Sequence, residues 1–449
     1  MASEEEFTPL LTNNYRYGWR RFDIKTMLLR VAVALSVLGA LASGIWLLLA
    51  VTWSDFSSLE GYCDAIPPIQ PAEYVERQRR LARVLEAENA DSLVTEPGPT
   101  MMYYTNISWS LSERPFLVIL RLDDSMPSGI RTVVVTPAFE ATRAHEAVKR
   151  ANLSEAIAPV FTEWLEHQSP YEEVRLVLED SRQKIFIEPN VRLFVEKGIS
   201  NVLDNVHMAP RAIQTLRMVK SPSEIDIMRC VNHATEEAIR LVRKRIRPGM
   251  TEGNVADLME EALHKAGLTN VWVLALVDEN AAFPHGEPGK ARIVSNTSMV
   301  LIDTGGEFLG YQSDTTRTFL MSPRGYNKTI EDAWYTVRRA QENVLNRITA
   351  GQSCAEVDLT ARRVIEKAGY GEYFTHRLGH GIGEEMHEEP YMNKGNTALR
   401  LQPGMTFTVE PGIYIPRRFG IRLEDVVVVN QQGKLELLTA GLARNPWTL

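Results

Sequence analysis

Apolar and polar positions alternate with two periods between residues 71 and 212, which predicts an α/β domain there. The segment AEYVERQRRLARVLEAENA places Tyr74, Leu81 and Leu85 at helical spacing. The apolar runs PFLVIL and TVVVTP then indicate two strands. A second helical segment, FEATRAHEAVKRAN, and a strand, KIFIE, continue the alternation of helices and strands.

A second domain, residues 213–449, opens with a long amphipathic helix. Its apolar positions keep helical spacing from Ile225 to Val242. Ser221 and Pro222 are typical of an N-cap and a first helical turn, and a Pro-Gly pair follows the last apolar position. We therefore expect a domain boundary close to the start of this helix.

An internal repeat lies in the second domain. IRPGMTEGNVADLMEEALHKAG (246–267) aligns without gaps to ITAGQSCAEVDLTARRVIEKAG (348–369). Each copy predicts a glycine turn, a hydroxyl N-cap, an amphipathic helix and a C-terminal glycine. Both copies lead to apolar strands that end in a carboxylate, Asp303 in MVLIDTGG and Glu410 in MTFTVEPG. A pseudo-twofold domain would bring these two carboxylates to opposite sides of one cleft.

Two further segments add carboxylates to apolar sequence. LIDTGGEFLGYQSDTTRTF separates Asp303 from Asp314 by a glycine-rich connection, which predicts a hairpin or a bent strand pair. In GIRLEDVVVV, period-two alternation puts Arg422 and Glu424 on one strand face. Buried acidic groups cost several kcal/mol unless a partner neutralises them, and neighbouring carboxylates repel one another. Two divalent metal ions would satisfy these charges.

The candidate metal ligands are four carboxylates and one imidazole: Asp303, Asp314, His380, Glu410 and Glu424. This oxygen-rich set suits Mn²⁺ or Mg²⁺ and tolerates Zn²⁺, Fe²⁺ or Co²⁺, and of these we expect Mn²⁺. Two such ions, roughly 3.5–4 Å apart, would hold a shared hydroxide and polarise a substrate carbonyl. Taken singly, each residue is more often a cap or a salt bridge, so the prediction depends on the whole set.

These segments resemble the M24 metallopeptidase family, in particular its prolidase and aminopeptidase P branch. The resemblance runs through AAFPHG, the Asp303 segment, HRLGHGIGEEMHEEP, TVEPGIYIP and GIRLEDVVVV, in family order. It implies an α+β pita-bread catalytic domain with an internal pseudo-twofold, preceded by an α/β creatinase-like domain. The implied reaction is metal-dependent hydrolysis of the N-terminal Xaa-Pro, or similar, amide bond of dipeptides or short peptides. We also expect a homodimer.

The resemblance implies a role for each ligand. Asp303 matches a ligand of one metal ion, and His380 and Glu410 match ligands of the other. Asp314 and Glu424 match carboxylates that bridge the two ions.

The resemblance implies further catalytic residues around the ligands. Glu410 would also move a proton to the leaving amine. His285, His376 and His387 match histidines that steady the scissile carbonyl and the tetrahedral intermediate. Arg422 matches an arginine that orients a bridging carboxylate. For His376, a structural histidine packed near the site is the alternative.

Other features of the sequence leave the substrate open. Mammalian-type prolidases hold the dipeptide carboxylate with an arginine, whereas GNTALRLQPG has Asn396 at that place and Arg400 nearby. The alternatives are a tailoring hydrolase for an amino-acid-derived amide or C–N bond, and a catalytically inactive M24 binding module. Retention of all five candidate ligands argues against the inactive module. The acidic residues that crowd the His380 segment are expected to support the site or lie in solvent: Glu384, Glu385, Glu388 and Glu389.

Composition narrows the class of protein. The 449 residues are 44% hydrophobic and 24% charged, which provides enough apolar sequence for two or three domain cores. The net charge of -8 argues against nucleic-acid binding, which a basic surplus normally accompanies. The three cysteines, Cys63, Cys230 and Cys354, form no disulfide framework and no CxxC pair. Their odd number leaves at least one thiol free or paired between chains.

An uncharged apolar stretch at 31–53 is long enough to cross the hydrocarbon core of a bilayer. It predicts a transmembrane signal anchor, with residues 1–30 as a cytosolic tail and residues 54–70 as a stalk. A cleaved signal peptide and a buried helix are the alternatives, but more residues precede the run than in a signal peptide. Basic residues before the run and acidic residues after it place the large domains in a lumen or outside the cell.

Two further features agree with this single-pass type II topology. Asn-x-Ser/Thr sequons, which would accept lumenal glycans, occur at Asn106, Asn152, Asn296 and Asn327. The tail sequence EEEFTPLL resembles the acidic dileucine signal that sorts membrane proteins to endosomes, lysosomes or vacuoles. The alternative is a short polar tail that contains two leucines by chance.

Overall fold

A mixed six-stranded sheet forms the first domain of the computed structural model, which describes residues 56–178 and 184–448. Its strands are β1 (Ala90–Thr95), β2 (Leu117–Leu122), β3 (Ile130–Pro137), β4 (Val160–Trp164), β5 (Lys184–Ile187) and β6 (Val206–Met208). They lie in the order β4-β3-β2-β1-β5-β6, in which β2 is antiparallel to both neighbours and the other pairs are parallel. The strands predicted from PFLVIL, TVVVTP and KIFIE are confirmed.

Helices cover both faces of this sheet. They are α1 (Pro71–Ala87), α2 (Pro99–Thr105), α3 (Ala141–Ala151), α4 (Pro170–Leu178), α5 (Leu193–Ser200) and α6 (Arg211–Met218). Alternate residues of β2 divide between the faces, so that Val118 and Leu120 pack with α1 and α3. Leu117 and Ile119 pack with α4 and α5 on the other face. The predicted α/β class of this domain is confirmed.

Antiparallel sheets form the second domain. Its strands are β7 (Thr269–Val277), β8 (Met299–Phe308), β9 (Tyr311–Gln312), β10 (Thr315–Leu320), β11 (Gly379–Gly381), β12 (Glu388–Met392), β13 (Thr406–Val409), β14 (Gly412–Ile415), β15 (Phe419–Arg422), β16 (Asp425–Val429) and β17 (Leu435–Leu437). One sheet has the order β10-β8-β7, with β9 paired to β8. A second has the order β12-β11-β13-β16-β17, and β14 pairs with β15.

The helices of the second domain carry the internal repeat. They are α7 (Pro222–Arg243), α8 (Glu252–Lys265), α9 (Lys328–Arg347) and α10 (Cys354–Lys367). α8 and α10 each begin with a capping box, at Thr251 and at Ser353. Each is followed by a glycine, Gly267 or Gly369, with φ of 83°. α8 packs on β7 and α10 lies against β12, so the repeat is a helix-on-sheet unit used twice.

The segment GIRLEDVVVV forms two strands rather than one. β15 ends at Arg422, β16 begins at Asp425, and between them Glu424 N–H donates to Thr316 O of β10 at 3.0 Å. This hydrogen bond joins the sheet of β8 and β10 to the sheet of β13 and β16. Arg422 and Glu424 face one side, as the alternation predicts. Asp425 faces the other side, where it pairs with Arg317.

The predicted stalk is tied to the second domain by a disulfide. Cys63 is bonded to Cys230 of α7, at a sequence separation of 167 that gave no indication of the pairing. Cys354 is a free, buried thiol. The predicted transmembrane helix at 31–53 lies outside the described residues. Within residues 56–178 and 184–448, every helix is too short or too polar to cross a bilayer.

A buried charge cluster joins the two domains. Arg77 of α1 is fully buried and donates to Glu73 Oε1 and to Tyr311 OH, each at 3.0 Å. Glu224 Oε1 and Glu384 Oε1 lie 3.6 and 3.5 Å from the same guanidinium. Burial raises the pKa of Glu384 to about 7, against the attraction of Arg77. Because the Arg77 guanidinium is shared among three carboxylates, its attraction does not offset the cost of burying the Glu384 carboxylate.

We expect Glu384→Gln to stabilise the protein at alkaline pH. Because the pKa of Glu384 is raised from 4.5 to about 7, the folded state binds this proton more tightly than the unfolded state. The resulting stability is fully present below pH 4.5 and is lost as pH rises through 7. Between pH 5 and pH 8, the free energy of unfolding of the variant should therefore rise by about 2 kcal/mol relative to that of the wild type.

Urea unfolding of both proteins at the two pH values measures this difference. Glu86→Gln, at an exposed position on α1, is the control and should show no such pH dependence. A Glu384→Gln effect that stays constant with pH would contradict the prediction.

Candidate metal centre

The second domain contains a cavity of about 570 Å³ whose walls come from both halves of the repeat. Its lining includes every residue predicted for the site: His285, Asp303, Asp314, His376, His380, His387, Glu410, Arg422 and Glu424. Residues separated by more than a hundred positions in sequence therefore meet around one space.

β8 and β10 supply two of the carboxylates. Asp303 lies opposite Thr316 in the antiparallel pair, and Asp314 directly precedes β10. Only glycine fits at position 305, because a Cβ there would meet Ser313 O at 1.9 Å. The close approach of the two strands therefore depends on Gly305. Of the two predicted alternatives, a hairpin or a bent strand pair, the antiparallel pairing of β8 with β9 and β10 confirms the hairpin.

β11 presents His380 between two glycines. A Cβ at Gly379 would meet Thr408 O at 2.0 Å, and one at Gly381 would meet Glu389 O at 2.4 Å. Both glycines thus allow β11 to lie closely between β12 and β13. His380 Nδ1 lies 3.1 Å from Gly381 O, and a proton on Nδ1 leaves Nε2 free as a ligand atom.

The remaining ligands come from the ends of β13 and β15. His380 Nε2 lies 3.5 Å from both Asp314 Oδ2 and Glu410 Oε1. The Thr316 hydroxyl lies 2.7 Å from Glu424 Oε2 and 2.9 Å from Asp303 Oδ1. Thr316 therefore holds two carboxylates from the two halves of the domain in a fixed relation.

The ligand atoms form overlapping groups. Asp303, Asp314 and Glu424 bring one carboxylate oxygen each within 4.8 Å of one another, and a ring nitrogen of His380 forms a similar group with one oxygen each of Glu410 and Glu424. Asp314 and His380 also group with His387. Glu424 belongs to both of the first two groups, and the buried Asp314 Oδ1 has no hydrogen-bond partner among the described residues. These features fit two divalent cations that share a carboxylate.

Repulsion among the buried carboxylates is large without cations. Burial, and then the charges of Glu424 and Asp303, raise the pKa of Asp314 well above its usual range. Burial, followed by the charge of Glu424, does the same to the pKa of Glu410. Burial, followed by Asp303, raises the pKa of Glu424 to about 7. Metal ions would allow all of these groups to ionise together.

Arg422 is the buried cation of the site. Its Nη2 pairs with Asp303 Oδ2, and its Nε lies 3.0 Å from the Thr316 hydroxyl. Its Nη1 donates to Tyr414 OH at 2.8 Å and to Pro284 O at 3.1 Å. The family resemblance implied that Arg422 orients a bridging carboxylate. In the structure it contacts Asp303 directly and reaches Glu424 only through Thr316.

Both ring nitrogens of His376 are engaged by the protein. Nδ1 lies 2.6 Å from Arg377 O, and Nε2 lies 2.9 Å from Tyr414 OH. Burial lowers the pKa of His376 to about 3, so the ring is neutral. This geometry favours the structural alternative, in which His376 positions Tyr414 and through it Arg422.

The rings of His285 and His387 are open to the cavity. Both residues are exposed, and among the described residues neither ring has a hydrogen-bond partner. The His387 ring lies 4.2 Å from that of His380, centroid to centroid. Burial, followed by the charge of Arg377, lowers the pKa of His387. These two histidines are therefore free to contact a substrate.

The acidic residues after His380 pair with cations outside the cavity. Glu385 and Glu388 accept from Arg217 at 2.8 and 3.0 Å, and Glu388 also pairs with Lys220. Glu384 joins the Arg77 cluster, and Glu389 Oε1 lies 3.5 Å from Arg211. They anchor the His380 segment to helices α1 and α6 of the first domain and are not simply solvated.

Sequence reasoning missed several residues of the site. Thr316 is two residues after Asp314, and period-two alternation in DTTRTF was a signal that could have found it. Tyr414 and Arg377 also line or support the cavity, and no local pattern distinguished them.

Comparison with known proteins identifies the same architecture elsewhere. Residues 226–431 match the family model described as metallopeptidase family M24. An uncharacterized peptidase of Schizosaccharomyces pombe is 40% identical over 84% of this chain and 84% of its own. The crystal structure of the dipeptidase PepE from Mycobacterium ulcerans has a TM-score of 0.76, at 28% identity over 85% of this chain and 99% of that one. The prolidase from Thermococcus sibiricus has a TM-score of 0.73, at 27% identity over 85% and 100%.

Fold, ligand geometry and sequence identity lead to one assignment. The pita-bread domain and the α/β domain before it both have counterparts in these solved structures, which cover nearly their whole length. With 40% identity to a peptidase of which it covers most of the length, this chain belongs to metallopeptidase family M24.

Proposed function

We propose that the protein is a dinuclear metallopeptidase that hydrolyses the N-terminal Xaa-Pro, or similar, amide bond of dipeptides or short peptides. The observation that carries this proposal is the pair of three-residue ligand groups that share Glu424 inside one cavity. The similar structures of a dipeptidase and a prolidase support the substrate class. All five ligand positions keep metal-binding side chains, which argues against an inactive binding module.

The chain's own residues would position the substrate and move a proton. Two bound divalent ions, Mn²⁺ by preference, would activate water and polarise the scissile carbonyl. Glu410 accepts a hydrogen bond from Thr408 on Oε1, at 3.2 Å, and Oε2 is the atom that would carry the proton to the leaving amine. His285 and His387, with unengaged rings, would donate hydrogen bonds to the oxygen that gains charge.

We expect Glu410→Gln to abolish most of the activity. The variant loses the proton carrier and one charged ligand, so kcat should fall by at least ~10²–10⁴-fold. The assay compares Xaa-Pro dipeptides, longer Xaa-Pro peptides and non-proline peptides, before and after chelation and Mn²⁺ addition.

Glu436→Gln, which alters an exposed ion pair with Arg229, is the matched control and should keep full activity. Hydrolysis that survives the chelator, or that Glu410→Gln leaves intact, would refute the metallopeptidase proposal. Activity confined to non-peptide amides would favour the tailoring hydrolase.

Thr316→Val should weaken metal binding without changing the ligand set. Its hydroxyl joins Asp303 to Glu424, and loss of such a supporting hydrogen bond typically costs 10–100-fold in metal affinity. The neighbouring Thr315→Val is the control, because the buried Thr315 Oγ1 has no hydrogen-bond partner in the part of the chain that the structure describes. Mn²⁺ titration by calorimetry should separate the two variants, and equal affinities would argue against the role of Thr316.

We further propose that the chain is anchored by residues 31–53 with its catalytic domain in a lumen, such as that of an endosome, vacuole or lysosome, or outside the cell. The Cys63–Cys230 disulfide supports this location, since disulfides persist mainly in oxidising compartments. Manganese as the native metal and the homodimer also remain proposals.

Glycosidase treatment tests this topology. Asn152, Asn296 and Asn327 are exposed and should carry glycans, whereas the Asn106 side-chain amide donates to Ala151 O at 2.9 Å. The membrane-expressed protein should shift in mass on deglycosylation, and the shift should shrink with each Asn→Gln change at the exposed sites. Two results together would place the domain in the cytosol. One is no change in mass on deglycosylation, and the other is alkylation of all three cysteines without prior reduction.

A further inference from the structure

One cation in the metal cavity has no role in the mechanism described above. Arg377 lines the cavity together with His380, His387 and Glu410 and is partly exposed. Its guanidinium lies over the Tyr391 ring, 4.4 Å from the centroid. Among the described residues, no carboxylate pairs with Arg377 and no acceptor receives a hydrogen bond from its side chain.

The other charged groups of this region are held by partners or serve as candidate metal ligands, and among the described residues none of them forms an ion pair with Arg377. Arg422, the other arginine of the cavity, is held by Asp303 and Tyr414. Glu385 and Glu388, in the same segment as His380, are taken by Arg217. Arg377 thus offers an unpaired guanidinium to whatever enters the cavity.

The backbone on both sides of Arg377 is held in place beside the candidate ligand His380. Arg377 lies three residues before His380, in a segment held by α10. Arg362 Nη2 donates to His376 O at 2.8 Å, and Leu378 N–H donates to Asp358 at 3.0 Å. Stacking on Tyr391 further restricts the plane of the guanidinium. A planar donor pair held in this way matches the geometry of a carboxylate.

We propose that Arg377 binds the C-terminal carboxylate of a dipeptide substrate and so makes the enzyme prefer dipeptides. This inference rests on the proposed peptidase function. In a dipeptide the carboxylate lies one residue beyond the scissile bond, within about 4 Å of backbone, so a cation beside the metal ligands can reach it. In a longer peptide, or in a dipeptide amide, a neutral amide occupies that position and gives the guanidinium no opposite charge.

Asn396 and Arg400, which lie at or near the place where mammalian-type prolidases have a carboxylate-binding arginine, do not face the cavity. Arg400 is exposed and donates to Gly351 O at 2.8 Å. The Asn396 side chain donates to Tyr391 O at 2.9 Å. Neither residue lines the metal cavity, whereas Asn396 does support the strand whose Tyr391 ring stacks with Arg377.

The test compares the full-length, Mn²⁺-loaded wild type with Arg377→Gln, Arg377→Lys and Arg400→Gln. Each is assayed on an Xaa-Pro dipeptide, on its C-terminal amide and on the tripeptide with one further residue. Arg377→Gln should reduce kcat/KM for the dipeptide by about 10- to 100-fold, mostly through KM, as expected for a charged hydrogen bond. Arg377→Gln should change kcat/KM for the dipeptide amide by less than about threefold. The kcat/KM of Arg377→Lys for the dipeptide should lie between those of the wild type and Arg377→Gln. Arg400→Gln should match the wild type.

A second measurement does not depend on turnover. Calorimetric binding of a dipeptide analogue with a reduced, non-hydrolysable bond should weaken by the same factor in Arg377→Gln, and binding of its amide should not. Two results would overturn the role of Arg377. One is an equal loss of kcat/KM or affinity for the dipeptide and for its amide in Arg377→Gln, and the other is a wild type that does not prefer the dipeptide to its amide. A wild type that hydrolyses no peptide but still binds the analogue through Arg377 would refute the proposed function alone.

Discussion

Mutual repulsion of buried carboxylates is the constraint on which the second domain depends. Asp303, Asp314, Glu410 and Glu424 lie in one cavity, and burial together with their neighbours' charges raises the pKa of the last three. Such a cluster is stable only if protons or cations neutralise it. The two ligand groups that share Glu424 are the arrangement in which two divalent ions would do so.

Much of the surrounding structure serves to keep this cluster in place. The Thr316 hydroxyl lies within hydrogen-bond distance of both Asp303 and Glu424. Arg422 contacts Asp303 and the Thr316 hydroxyl, and its hydrogen bond to Tyr414 OH holds it in place. Glycines on both sides of His380 let its strand lie close to its neighbours. The five candidate ligands therefore lie within strands or next to a strand end, which suits chemistry that needs ligand atoms at fixed separations.

The acidic residues outside the cavity have a different function from those inside it. Glu384, Glu385 and Glu388 pair with arginines of α1 and α6 and so attach the His380 segment to the first domain. Because these acids are occupied, the cavity retains an unpaired guanidinium at Arg377. Discrimination between peptide lengths would thus follow from which charges the fold pairs and which it leaves for the substrate.

The sequence by itself determined the α/β class of the first domain, the repeated helix units and the candidate metal ligands. These depend on local periodicity, capping residues and a recognisable order of motifs, which a linear pattern contains. Only the tertiary structure decided that His376 is held on both nitrogens, that Arg422 contacts Asp303 and that Cys63 is bonded to Cys230. It also decided that Arg377, and not Arg400, faces the metal ligands. These outcomes depend on contacts between residues far apart in the chain, and spacing along a sequence does not specify such contacts.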